Sequence, residues 1–192
     1  RHQPPDHRDD HSQEHHCCFL LERDNYFCSM CSHGLHFRNN AIEAAVLTAN
    51  SASFSGSVTL QNGSQLVMTG GSFTNELKIE SGASVRLTGG TVTFGTNVLV
   101  EAGARLDVDA STTLGLSGTL TNPGGMKWVT RYNTCTLQGS GTVENAGLWE
   151  LYKDPISDAF TESTVRVPVK VPVGGKLLLS TNALVNFPQP SS

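Results

Sequence analysis

Residues 80–94 read "ESGASVRLTGGTVTF", and residues 101–108 read "EAGARLDV". The second stretch begins 21 positions after the first. Both run acid, small residue, glycine (Gly82 or Gly103), two further residues, then an alternating apolar pair. A sequence that repeats itself at such a distance is built from a stacked unit, and the period decides the architecture.

With the glycine as origin, apolar residues recur at fixed offsets. Gly63 has Val58 and Leu60 five and three residues before it, then Leu66 and Met68 three and five after. Gly82 has Leu77, Ile79, Val85 and Leu87; Gly103 has Val98, Val100, Leu106 and Val108. Later units drift. Gly125 keeps Leu120 and Trp128, Ala146 takes the small slot near Val143, Trp149 and Leu151, and Gly174 restores Val169, Val171, Leu177 and Leu179. The spacings between these small residues are 19, 21, 22, 21 and 28.

Apolar residues two apart are period-2 strands with one buried face. The gap between the flanking pairs is a bend, where glycine supplies positive φ. A third apolar patch recurs between units at Phe73, Val92 with Phe94, Leu114 with Leu116, and Cys135 with Leu137. Three short strands per unit of about 20 residues make one rung of a three-sided coil. No rung buries its apolar face alone, so rungs stack, at roughly 4.8 Å each. The expected fold is all-β: a parallel β-solenoid (β-helix) of about six rungs, preceded by a short, irregular, Cys/His-rich head. An antiparallel sandwich also repeats short strands, but has no reason to keep one offset pattern through three consecutive units. The expected division is a connector head over 1–40, a linker or N-terminal cap over 41–50, and the solenoid over 51–192.

The rungs "ESGASVRLTGG" and "EAGARLDVDAS", within residues 51–187, resemble those of extracellular right-handed parallel β-helices. That group includes filamentous adhesins, bacterial secreted passengers, phage tailspikes and polysaccharide lyases. The resemblance implies the fold and a secreted or surface setting, and no particular activity.

Composition narrows function. Lys and Arg number 13 against 17 Asp and Glu, a net charge of −4, which disfavours a nucleic-acid binder. No apolar run approaches the roughly 18–20 residues that span a bilayer. Residue 1 is Arg, and the chain closes on "NALVNFPQPSS"; both read as a processed or partial chain.

Candidate chemistry is sparse. Asp107 and Asp109 share the solvent face of one strand, opposite Leu106 and Val108. Glu80 and Glu101 occupy one slot in adjacent rungs and read as solvated turn residues; stacked carboxylates can also attract a cation such as calcium, unless Arg86 and Arg105 neutralise them. The Thr-x-Thr pairs, Thr91/Thr93, Thr119/Thr121 and Thr134/Thr136, do not share a slot. They read as β-branched strand residues rather than a flat ice-binding array. No catalytic residue, cofactor site or metal site is expected. Asn62-Gly63-Ser64 is a glycosylation sequon at an expected turn, and Asn133-Thr134-Cys135 is a weaker form.

All seven His lie within residues 1–36, and four of the five Cys within 17–31. Cys17, Cys18, Cys28 and Cys31 suit two disulfides of undetermined pairing, a zinc site with His33 and His36, or free thiols. So polar a head cannot order itself and needs a metal, disulfides or a neighbour. The expected neighbour is the rod of another copy, in a head-to-tail contact. Pro168 and Pro172 in "VRVPVKVPV" suit a sheet edge. The expected function is a non-enzymatic extracellular structural protein: a subunit or segment of a filament, appendage, adhesin or matrix. The alternative is a carbohydrate-active β-helix, lyase-like or glycan-binding.

Overall fold

A computed structural model describes residues 20–22, 25–27, 36–37, 40–42, 46–109, 111–130, 134–153, 162–180 and 184–187. These residues form an all-β parallel solenoid of about six turns. Cys17, Cys18, Cys28, Cys31 and His33 lie outside them, so the disulfide and zinc alternatives do as well.

Three stacks of strands wind along the axis. The first holds Asn40–Ile42, Val58–Leu60, Leu77–Ile79, Val98–Val100, Thr119–Asn122, Thr142–Asn145 and Val169–Lys170, each paired parallel to the next. The second runs through the leading halves of Val46–Phe54 and Gln65–Phe73, then Ser84–Leu87, Arg105–Val108, Gly125–Thr130, Leu148–Lys153 and Lys176–Leu179. The third takes the trailing halves of the same two long strands, then Gly90–Phe94, Thr112–Leu116, Thr136–Gln138, Glu162–Val165 and Leu184–Asn186. In the early turns the second and third stacks share one continuous strand; from residue 84 onward they part. The expected linker segment contains the start of Val46–Phe54, which passes through position 50 as one strand. Within the head, Asn25–Phe27 and His36–Phe37 pair parallel to Val46–Phe54, and Leu20–Glu22 folds back antiparallel on Asn25–Phe27.

The interior consists of columns, because parallel register stacks equivalent residues. Ile42, Leu60, Ile79 and Val100 are successive partners. Leu66, Val85, Leu106, Met126 and Trp149 form a second column, and Met68, Leu87, Val108, Trp128 and Leu151 a third. From Leu60 to Leu151 nearly all are fully buried. Each aliphatic side chain contributes about 1.5–3 kcal/mol on burial. Phe54, Phe73 and Phe94 stack in the third stack, with ring centroids 4.7 and 5.5 Å apart.

Two expectations about the bends divide. At Gly63, Gly82, Gly103 and Gly174 φ is +82, +79, +84 and +93°, the left-handed region that the glycine slot implied. The fourth and fifth bends differ from the sequence reading. Trp128 pairs with Val108, so it stands five places after the bend and not three; Met126 takes the position below Leu106. The bends after Asn122 and Asn145 are each two residues shorter than those after Leu60, Ile79 and Val100, so Gly125 is not the equivalent of Gly103. Glycine lets these corners close tightly at Gly124 and Gly147, and two asparagines line them. Asn122 and Asn145 are buried, and Asn122 Nδ2 donates to Asn145 Oδ1 at 2.6 Å. Asn122 Nδ2 also reaches the Leu148 carbonyl at 3.3 Å, and Asn145 Nδ2 donates to the Lys176 carbonyl at 2.9 Å. These side chains bind backbone just past the next bend, while Asn122 Oδ1 has no hydrogen-bond partner among the described residues. Gly124 and Gly147 lie in these corners, where a Cβ would strike the carbonyls of the turn before.

Pro168 and Pro172 flank the strand Val169–Lys170 and interrupt none. The Pro168 carbonyl accepts from the Val143 amide at 2.9 Å, so the prolines lie at strand ends, where a missing N–H costs no ladder bond.

Candidate functional surface

Alternation buries every second residue and presents the others on three outer faces. The outer face of the second stack is a grid of charges. Arg86 lies one turn before Asp107 and two before Lys127, with Glu150 next in the same column. Asp107 and Asp109 are half-buried on this face, as expected, and each has its own arginine. Arg105 donates to Asp107 at 3.0 Å, and Arg86 to Asp109 at 2.7 Å.

Glu80 and Glu101 do stand in adjacent turns. The cation between them is Lys78, whose Nζ lies 3.0 Å from Glu80 and 3.1 Å from Glu101. Hydrogen bonds to Glu80 and then Glu101 hold the Lys78 ammonium above its ordinary value. The expected readings of this pair were solvated turn residues, a bound cation such as calcium, or neutralisation by Arg86 and Arg105. Lys78 supplies the counter-charge in place of the arginines, because it lies two residues before Glu80 and reaches the next turn. Among the described residues no group of three or more His, Cys, Asp or Glu could hold a metal ion.

The same grid contains a shallow depression of about 150 Å³, lined by Arg105, Gly125, Met126, Lys127, Leu148 and Glu150. It exists because Gly125 sits between Arg105 and Leu148 in one outward column and brings no side chain. Lys127 Nζ lies 4.9 Å from the centre of the Tyr152 ring. Among the described residues, no ion pair engages the Glu150 carboxylate. Sequence reading missed this site, since its one signal was a glycine assigned to a bend.

The outer face of the third stack carries hydroxyls. Thr91, Thr113, Thr136 and Thr164 are successive register partners. The expectation that threonines share no slot is therefore corrected for one column. The adjacent column runs Ser53, Ser72, Thr93, Gly115 and Gln138, so a second unbroken rank of hydroxyls is not formed. Thr119 and Thr142 pair separately in the first stack.

Asn62 is exposed at its bend, as the sequon reading expects. Ser64 of the same sequon is buried, and its hydroxyl donates to the Gln61 carbonyl. An enzyme that needs both residues accessible would have to act before this turn closes. Cys135 is buried beside the carbonyls of Asp109 and Val129, and desolvation pushes its thiol up to about 12. It is a core residue, without the exposure a reactive thiol requires.

No protein-family model, curated protein or solved structure matches the chain.

Proposed function

We propose that this protein is a non-enzymatic structural module that works outside the cell, as a subunit or segment of a filament, surface appendage, adhesin or matrix. The supporting observation is the pairing of five of its outward carboxylates. Glu80, Glu101, Asp107, Asp109 and Glu144 each face a Lys or Arg. The acids that a polysaccharide lyase would direct at substrate here tie one turn to another or brace a strand. The rung likeness to extracellular right-handed β-helices and the Cys-rich head support the setting, and the head serves as connector between copies in head-to-tail contact.

Incubation with a panel of acidic and neutral polysaccharides, with and without calcium, tests the reading. No turnover is expected. Turnover that disappears in Asp107→Asn or Asp109→Asn overturns it.

One observation favours a second reading, a glycan-binding module. The depression at Gly125 sets an unpaired carboxylate, a lysine, an apolar floor and a nearby tyrosine together. Carboxylate and ammonium groups can accept from and donate to sugar hydroxyls. Saturable binding of an oligosaccharide, lost in Glu150→Gln and Gly125→Val, would establish that reading.

A further inference from the structure

The columns are covered at one end and open at the other. At the N-terminal side Leu47 is 6% exposed, beneath the strand Asn25–Phe27. At the other side Leu177 and Leu179 continue the inward columns below Trp149 and Leu151. They are 37% and 50% exposed, although they occupy core positions. Val171 and Val173 beside them are also exposed. The strand Lys176–Leu179 pairs with Leu148–Lys153 on one side, and among the described residues nothing pairs with its other edge. Such an edge, backed by exposed leucines, is a template for another strand.

We infer that this open end is the docking face for the N-terminal side of a second copy. The inference rests on the assembly reading above and names its surface. Charge selects the occupant. Residues 162–192 contain one acid and three basic residues, and residues 1–45 contain seven acids and four arginines. Lys170 is held by Glu144, but Arg166 and Lys176 have no ionic partner among the described residues. Two open ends facing each other would bring these cations together, whereas the acid-rich N-terminal sequence of a second copy would neutralise them. On the N-terminal side the outermost strand of the second stack is Leu20–Glu22, antiparallel on Asn25–Phe27, so in a copy stacked in the same direction it meets Lys176–Leu179 as an antiparallel neighbour. The contact is heterologous and does not close on itself, so it propagates into an open chain of copies. Pro168 and Pro172 flank the first-stack edge, which leaves the second stack, free of proline, as the centre of the contact.

Sedimentation velocity of the full chain over a concentration series, with electron microscopy, tests this. The expected result is concentration-dependent assembly that weakens as salt rises. Leu177→Glu with Leu179→Glu should weaken association at least about tenfold. Both positions are already open to solvent, so circular dichroism should stay unchanged. Arg166→Glu with Lys176→Glu is an independent probe that leaves the apolar columns intact and should weaken association likewise. Leu178→Glu, which projects from the side face, should leave association unchanged. Assembly that survives both double variants overturns the assignment of this face and leaves the assembly reading standing. A chain that remains a protomer at every concentration overturns both.

Discussion

Leu60 and Ile79, in consecutive turns, are direct register partners, and Val100 lies one turn beyond Ile79 in the same column. All three are fully buried. The rod is held by such vertical neighbours more than by any contact within a turn.

Ile79→Ala removes side-chain atoms packed on both sides by other turns, which cannot close in without breaking ladder hydrogen bonds. The expected loss is about 2–5 kcal/mol of unfolding free energy, measured by urea denaturation. A loss below about 1 kcal/mol would show that the column collapses freely and is not close-packed.

Asn122 and Asn145 should behave as a pair. Asn145→Val leaves the Lys176 carbonyl without its donor and costs about 1–3 kcal/mol. Asn122→Val removes the other half of the 2.6 Å bond. The double variant should cost less than the sum of the singles, because neither amide is then left half-satisfied. Strict additivity in the cycle would count against a coupled ladder.

Glycine at the bends can be tested at two sites. Gly174 has φ of +93°, and a methyl added there would meet only open space, so Gly174→Ala isolates the backbone cost of about 1–2 kcal/mol. Gly103 has φ of +84°, and there a Cβ would also meet Ser81 Oγ at 2.6 Å. Gly103→Ala should therefore be the more damaging in parallel thermal melts. Equal losses would mean that Ser81 moves aside at no cost.

Cys135 predicts a response to alkali. Burial raises its folded-state value from 9.0 to about 12, so between these values the unfolded chain binds fewer protons. Stability is intact below pH 9.0 and falls as pH rises toward about 12. At about pH 10.5 the loss from this thiol is about 2 kcal/mol. Urea denaturation at about pH 8 and about pH 10.5 should show that excess loss in the natural chain and its absence in Cys135→Ala. A thiol that reacts with a disulfide reagent in the folded protein at neutral pH would contradict the burial on which this rests.

Much of the fold was legible from residues 58–108 alone. Strand alternation and a left-handed glycine bend are local properties, and three consecutive turns keep the same bend length, so Leu60, Ile79 and Val100 fall at one offset. Beyond Asn122 that reading slipped. The corner there is two residues shorter, closed tightly on a glycine, and nothing in linear spacing announces the change.

The surface was less legible still. Thr91, Thr113, Thr136 and Thr164 are separated by 22, 23 and 28 residues, so no fixed period finds them. Lys78 answers Glu101 only because one turn lies on another. The order of residues determined the alternation, the bends and the existence of stacked turns, since each follows from the conformational preferences of a few neighbouring residues. Tertiary structure decided which side chains share a column, because register between turns depends on the length of every loop between them, and the chain corrects those lengths by packing.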